Sequence, residues 1–346
     1  MDNEDLSKQW LEELDYSQKV ESFSEEQLIL CSSCKRFSPP TRLNCLYCGN
    51  ELKVAEEQVK NLRPIIRGAE EWKNAISAIV NLYKADVEVL REVAKMTRID
   101  SKELSQLARL DCMVPLARSS DMRELEVFSS VLETKGVSVL LLDEEELKIE
   151  QPVTRLRAIS FEDKALELTE FNSGNKSKIS VNEIEVFVFG TLYERRVESL
   201  EKRVKKKENK VVGTVETASD EMVIDFYIRN DFNGFRISST GFDFSVLGLE
   251  KVAVSNANLQ KLFVKLGAFC NTANINNAYN EARAVLGSVW QPEERLERIN
   301  TFRKSFRGAQ TEKVITVNNH RQFLRFSRLQ RILSEQLKSN GKAKQK

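Results

Sequence analysis

The four cysteines at positions 31–48 constrain the fold of this chain more than any other feature. They form two pairs, Cys31 with Cys34 and Cys45 with Cys48, and two residues separate the members of each pair. This gap lets both sulfurs of a pair turn towards one metal ion, and two pairs complete a tetrahedron with sulfur about 2.3 Å from zinc. A segment this short lacks a core, so its fold should depend on the ion. The sequence therefore predicts one bound Zn²⁺.

The two motifs are Cys31-Ser-Ser-Cys34 and Cys45-Leu-Tyr-Cys48-Gly49. This arrangement resembles the rubredoxin-type zinc ribbon over residues 31–49. The resemblance implies two facing knuckles, with Gly49 taking a positive φ after the second pair. Lys35 departs from the pattern, because rubredoxins that hold redox iron usually have glycine there, and this favours zinc. Four cysteine ligands leave no coordination position for water, so the resemblance implies a structural ion rather than a catalytic one.

The remaining composition indicates a globular protein of more than one domain. With 346 residues the chain exceeds the usual size of a single core, and 41% of its residues are hydrophobic. The net charge of +1 gives no overall attraction to nucleic acid or to an anionic membrane. Acidic side chains predominate in residues 1–30, however, and lysine and arginine predominate in residues 303–346. Local charge should therefore matter more than the total.

Neither a secretory signal nor a membrane span is predicted. The acidic start lacks the basic and apolar regions of a signal peptide, and no window reaches the roughly 18 apolar residues that a spanning helix needs. We expect a cytoplasmic protein with reduced thiols. Cys112 and Cys270 stand apart from the pairs in apolar surroundings, and we expect them to be buried hydrophobic residues.

Hydrophobic periodicity predicts a multi-domain α+β protein. Apolar residues at helical spacing from Trp72 to Leu90 predict a long helix. Asp100 and Asp121 have the character of N-caps, each with a glutamate three residues later. Strands are expected on both sides of the second helix, giving a small α+β sandwich. The predicted domains are an acidic leader (1–30), the ribbon (31–50), a helical α+β domain (51–150), a β-rich domain (151–270), a helical C-terminal region (271–337) and a basic disordered tail (338–346).

From Val153 onward the apolar period changes from 3.6 residues to two. Six or seven short antiparallel strands followed by one amphipathic helix are expected here, including a strand at 242–246. This order of elements resembles a pleckstrin-homology-like domain over residues 153–268, which implies a barrel-like β domain. Two further helices are predicted, at 277–290 and from Asn318 to about Leu337.

Basic residues form the candidate phosphate or partner contacts. Arg195 and Arg196 begin a charged stretch that we expect to be a helix between strands, continuing through Lys205, Lys206 and Lys207. The last helix should carry arginines on one side and apolar residues on the other. The arginines are Arg321, Arg325, Arg328 and Arg331. An arginine face can meet phosphates or only water, and the apolar face should dock on the protein itself or on a partner.

No catalytic residue is predicted. His320 is the only histidine and has no nucleophile motif beside it, so we expect a solvated residue at a helix start. Phosphate-binding glycine motifs are absent from the sequence. The acidic cluster at residues 143–146 lacks the spacing of a calcium loop and should be a solvated turn. Whether the protein is an enzyme stays open, with a non-enzymatic role favoured.

The functional hypotheses follow from these features. The first is a zinc-ribbon interaction or regulatory protein whose ribbon and β-rich domain bind a protein partner or a second copy. The alternative is a nucleic-acid-binding protein that uses the ribbon and the basic helices. A steep salt dependence of oligonucleotide binding would distinguish the second hypothesis from the first.

Overall fold

The computed structural model describes most of the chain. The described residues are 23–40, 42–53, 66, 72, 74–202, 210–229, 231–301 and 310–343. They form two compact units: one contains the described residues up to Lys148 together with 281–290, and the other contains the described residues of 149–280 and of 291–343. Helices and sheets occur together, which confirms the α+β class. The predicted acidic leader lies outside the described residues as far as residue 22.

The first unit contains the ribbon and a three-stranded sheet. Its elements are β1 (Ile29–Leu30), β2 (Phe37–Ser38), β3 (Ile76–Asn81), α1 (Val87–Thr97), α2 (Ser101–Leu107), β4 (Met113–Ser119), α3 (Met122–Glu133) and β5 (Val139–Asp143). β1 and β2 pair antiparallel. The sheet has the order β4-β3-β5, and the central strand β3 is antiparallel to both neighbours. The core of this unit therefore surrounds β3.

The predicted long helix from Trp72 to Leu90 is wrong, because residues 76–81 are strand β3. Four consecutive residues of β3 are buried, and a short apolar run of this kind fits a helix or a strand equally well by periodicity. Helix α1 begins only after Asp86, whose carboxylate accepts a hydrogen bond from the Val89 N–H at 2.9 Å. The predicted N-caps Asp100 and Asp121 are both confirmed.

Glu144 is buried, so the prediction of a solvated acidic turn is wrong for this residue. Its carboxylate accepts hydrogen bonds from the Ser77 hydroxyl and from Trp290 Nε1, the latter at 2.5 Å. A buried tryptophan usually finds a partner for its N–H group. Residues 281–290 thus belong to the core of the first unit although they follow most of the second unit in sequence.

The second unit is built on a large sheet covered by helices. Its elements are β6 (Thr154–Glu162), β7 (Ala165–Glu170), β8 (Lys176–Ser180), β9 (Ile184–Lys202), β10 (Lys210–Ile228), β11 (Phe235–Ser238), α4 (Ser255–Phe269), β12 (Asn274–Asn276), β13 (Glu293–Thr301), β14 (Gln310–Asn318) and α6 (His320–Ala343). Helix α5 spans Tyr279–Val289; its first two residues belong to this unit and the rest to the first unit. The strand order is β13-β14-β9-β10-β11-β6-β7-β8, with β12 also beside β9. Neighbouring strands are antiparallel except for the pairs β11–β6 and β12–β9.

This sheet is open. The pairings of the described strands end at β8 and β13, so these strands do not close a barrel, and no pleckstrin-homology-like fold is found. The predicted basic helix is wrong for Arg195 and Arg196, because both lie on strand β9. Lys205, Lys206 and Lys207 lie outside the described residues. The strands β13 and β14 were not predicted.

Two further expectations differ from the structure. The strand predicted at residues 242–246 is a 3-10 segment, Phe244–Glu250. Helix α6 continues to Ala343, so the tail predicted to be disordered from residue 338 is helical as far as that residue. Among the described residues, no helix combines the length and the apolar character that crossing a membrane requires.

Helix α6 packs closely against the sheet at Gly190. The rings of Phe323 and Phe326 on α6 contact the ring of Tyr279, with centroids 4.9 and 5.4 Å apart. A Cβ atom at Gly190 would lie 2.4 Å from a carbon of the Phe323 ring. Glycine inside a strand often marks such a close approach. The side-chain-free position in β9 therefore lets the aromatic side of α6 reach the sheet.

We expect the Gly190→Ala substitution to lower the free energy of unfolding by about 1–3 kcal/mol, because the added methyl group overpacks the contact with Phe323. Thermal unfolding of the purified protein measures this. Gly287→Ala is the matched control, since no atom of the described residues lies within 4 Å of its Cβ position on helix α5. That change should leave stability equal or raise it by up to about 1 kcal/mol. Equal stability of the two variants would contradict the close approach.

Candidate metal centre

The first knuckle is a tight turn that follows β1. The N–H of Lys35 donates to the Cys31 carbonyl at 3.0 Å, and the N–H of Cys31 donates to the Arg36 carbonyl at 2.9 Å. Lys35 has a φ of 57°, the left-handed conformation that glycine adopts most easily. Lys35 therefore adopts the backbone conformation that glycine would take at this position.

The second knuckle repeats this geometry. The N–H of Gly49 donates to the Cys45 carbonyl at 3.0 Å, and the N–H of Cys45 donates to the Asn50 carbonyl at 2.8 Å. Gly49 has a φ of 74°, as the resemblance implied. The Asn50 side chain donates to the Ser33 hydroxyl at 2.7 Å and so joins the two knuckles. Each motif thus presents its sulfurs in the same way.

The four sulfurs lie together. Cys31 Sγ is 3.6 Å from Cys48 Sγ, Cys34 Sγ is 3.5 Å from Cys45 Sγ, and all four lie within 4.8 Å of one another. Thiolates about 2.3 Å from a tetrahedral ion are separated by about 3.8 Å, so the cluster has the dimensions of a one-ion site. None of the chain's six cysteines, all of them described, forms a disulfide. The residues therefore fit a four-cysteine metal site.

The electrostatics of the thiols also fit a cation. A hydrogen bond from the Cys34 N–H lowers the pKa of Cys31, and one from the Ser38 hydroxyl is the main reason that the pKa of Cys45 falls to about 6. The Arg36 N–H acts in the same direction on Cys34, but burial and the neighbouring sulfurs raise its pKa to about 12. Four thiolates this close together would repel one another, and a bound metal ion supplies the positive charge that offsets the repulsion.

The ribbon also carries an exposed apolar surface, which we call the ribbon patch and define as Leu30, Phe37, Leu46 and Tyr47. These four side chains are 50–55% exposed. Leu30 and Phe37 lie directly opposite each other on β1 and β2, and the Arg36 guanidinium lies 4.9 Å from the centre of the Tyr47 ring. Sequence reasoning missed this patch. The signal was present in Leu46 and Tyr47, which lie between two ligands and have little core to enter.

The structure separates the four candidate arginines of α6. Arg321 is partly exposed and pairs with Glu150 at 3.2 Å and with Glu293 at 2.9 Å. The other three are buried, with 4% exposure for Arg325, 0% for Arg328 and 5% for Arg331. The expected solvent-facing arginine side is therefore wrong for these three.

Arg328 and Arg331 each contact a polar group of the second unit. Arg328 donates to the Gln151 carbonyl at 2.7 Å, and Arg331 pairs with Glu335 at 2.6 Å. Contact of the basic residues with a phosphate or a partner stays a prediction. The apolar side of α6 is buried in its own chain, since Phe323 and Phe326 pack on Tyr279.

The remaining candidates have ordinary positions. His320 is the first residue of α6 and is exposed; partial desolvation and the charge of Arg236 lower its pKa. Cys112 and Cys270 are buried, as expected. Burial raises the pKa of Cys270 to about 11, which keeps it a thiol and makes it unreactive.

Comparison of the chain with protein-family models, with curated proteins and with solved structures gave no match. Fold and site therefore define the class on their own: an α+β protein of two compact units with a four-cysteine site able to hold a metal ion.

The backbone conformations after the two pairs predict opposite effects on metal affinity. Gly49→Ala places a side chain in the left-handed region and should weaken metal binding roughly tenfold, because the strain costs about 1–2 kcal/mol and folding of the ribbon is linked to binding. Lys35→Gly relieves the same strain, but glycine loses more backbone entropy when the ribbon folds, so we expect an affinity that is equal or about twofold higher.

Competition with a chromophoric chelator measures both affinities. Gly136→Ala is the control, because Gly136 also has a positive φ, lies outside the ribbon and has no neighbour within 4 Å of its Cβ position in the described part of the chain. It should leave metal affinity unchanged. A loss of affinity in Lys35→Gly as large as in Gly49→Ala would contradict the strain argument.

Proposed function

We propose that the four cysteines hold one structural Zn²⁺ and that the metal-bound ribbon is the docking surface of a non-catalytic interaction or regulatory protein. The observation that carries this proposal is the ribbon patch, because it lies on strands β1 and β2 and on the second turn that brings the sulfurs together. The protein acts in a reducing compartment, the cytoplasm, where thiols remain available to the metal.

Zinc is the ion that suits this donor set best. Four thiolates at tetrahedral spacing are typical of structural zinc sites, and no position remains for water or substrate. The ribbon has little hydrophobic core besides Ile29, Leu43 and Leu52. Metal binding is worth about 10–16 kcal/mol in comparable peptides and can supply the missing stability.

The ribbon patch has the character of a protein-binding surface. Exposed apolar residues that cluster, with polar groups at the edge, commonly mark interaction sites. Tyrosine and arginine are enriched among the residues that contribute most to binding, and here Tyr47 and Arg36 lie in contact. A partner that covers Phe37 and Tyr47 with apolar side chains of its own would bury this surface.

Nucleic-acid binding receives less support from the described residues. It relied on an arginine face and on basic helices, but Arg325, Arg328 and Arg331 are buried, and Arg195 and Arg196 lie on a strand. Glu194 and Glu198 occupy the same stretch of β9, and Glu198 pairs with Arg196 at 2.9 Å. Such a mixed surface offers no excess of positive charge to phosphates.

Freshly purified protein should contain about one zinc per chain and little iron by elemental analysis. Cys45→Ser should lose most of the metal and the local structure of the ribbon, because three thiolates and a hydroxyl hold zinc poorly. The second unit, which has its own core, should melt as in the parent protein. Cys112→Ser is the matched control and should keep its zinc. A red, iron-containing protein, or folded parent protein without metal, would contradict the zinc site.

The docking role is tested by placing a photo-crosslinking amino acid at Phe37 in cells, with Tyr83 as the control position. Tyr83 is also exposed, at 42%, but lies outside the ribbon. We expect a defined protein to be captured at position 37 and not at position 83. The captured protein, once purified, should bind the parent chain at least about tenfold more tightly than the Tyr47→Ala variant, whose zinc content stays the same. Equal affinities would remove the patch from the interaction.

A further inference from the structure

A cavity of about 490 Å³ lies in the second unit, between the sheet and the start of α6. Ligand sites in proteins commonly have volumes of about 300–1,000 Å³. Strand residues Arg155, Arg236 and Ser238 line one part of it, and Pro152, Val153 and Leu324 form an apolar part. The cavity thus combines a charged wall with an apolar one.

The charged wall comes from a row of residues across three adjacent strands. Arg155 on β6 lies opposite Arg236 on β11, and Arg236 lies opposite Asp225 on β10. Asp225 is fully buried and accepts two hydrogen bonds from Arg236, at 2.6 and 2.8 Å. This carboxylate therefore balances the charge of Arg236. Like charges opposite each other on neighbouring strands destabilise a sheet, so the second arginine of the row calls for an anion of its own.

Arg155 has no such anion among the described residues. Its Nη2 donates to the Thr240 carbonyl at 2.6 Å, and its guanidinium lies 4.1 Å from the centre of the Phe171 ring. Within the described part of the chain it pairs with no carboxylate, and its buried Nε has no hydrogen-bond acceptor. The carbonyl and the ring orient the guanidinium, while the positive charge is left to be balanced from the cavity.

Ser238 supplies a second donor. It is only 4% exposed and lines the cavity, yet its hydroxyl makes no hydrogen bond to any residue that the structure describes. A hydroxyl in such a position normally has a partner. It lies two residues beyond Arg236 on β11 and therefore on the same face of the sheet.

The acidic residues of the lining limit the charge of a ligand. Glu150 pairs with Arg321, and Glu221 accepts a hydrogen bond from the Thr240 N–H at 3.3 Å. Both carboxylates line the cavity and would repel a multiply charged anion. A single negative charge placed at Arg155 is the arrangement that these groups favour.

We propose that this cavity binds a small organic monoanion. Its oxyanion group accepts hydrogen bonds from Arg155 and Ser238, and its apolar part lies against Pro152, Val153 and Leu324. A carboxylate and a phosphodiester share this chemistry, since guanidinium groups bind both kinds of oxygen pair.

Calorimetric titration of the full zinc-loaded chain with four probes tests the proposal. Hexanoate and dibutyl phosphate represent the two kinds of monoanion, hexanamide lacks the charge and acetate lacks the apolar part. At least one monoanion with an apolar part should bind saturably below about 10 mM. Hexanamide and acetate should each bind roughly tenfold more weakly or not at all. Binding of hexanamide as tight as that of the anions, or no saturable binding of either anion, would overturn the proposal.

Variants locate the binding site. Arg155→Gln should lower the affinity for the anion by about tenfold or more, and Ser238→Ala by about three- to tenfold. Arg157→Gln is the matched control, because Arg157 lies two residues further along β6, is exposed and does not line the cavity. It should bind as the parent does.

Thermal unfolding shows which variants are folded, and Ser238→Ala decides the matter if Arg155→Gln does not fold. Parent-like affinity in the folded variants at both positions would overturn the proposal. So would an equal loss in Arg157→Gln, since that would indicate unspecific attraction to basic residues.

Discussion

Strand β9 organises the second unit, because its 19 residues pair with β10, β12 and β14 and so connect most of the sheet. The position without a side chain at Gly190 in this strand admits the ring of Phe323, and the aromatic side of α6 can then lie on the sheet. The charged row on the neighbouring strands and the start of α6 together border the cavity that contains Arg155. Strand pairing and the packing of α6 therefore both depend on this one long strand.

The ribbon is stabilised in a different way. Unit two encloses a large apolar cluster, whereas the ribbon consists of two turns whose backbone hydrogen bonds aim the sulfurs at a common centre. Because metal binding stabilises the ribbon, the side chains between the ligands do not have to pack in a core. Leu46 and Tyr47 are accordingly exposed to solvent. A fold held by an ion can therefore present apolar residues on its surface that a fold held by a core would have to enclose.

Local chemistry was readable from the sequence, and long-range chemistry was not. Cysteine spacing and the caps Asp100 and Asp121 involve partners a few residues away, and the sulfur cluster and both caps were correctly placed. The burial of Arg328 depends on the Gln151 carbonyl, 177 positions distant, which no helical periodicity contains. The helix predicted over β3 is wrong because this strand lies between β4 and β5, and a strand buried from both sides shows no alternation of polar and apolar residues. The Arg155 cavity was missed for the same reason, since its wall joins residues from separate strands.

The position of Trp290 has a consequence for how the chain is made. The first unit takes residues 281–290 from beyond most of the second, and among them is the indole that donates to Glu144. During synthesis on the ribosome, residues 1–148 emerge long before this tryptophan exists, so the core around β3 stays incomplete while the large sheet is being produced. The two units therefore cannot mature in simple order from the N-terminus, and a fragment cut after residue 148 lacks part of its own interior.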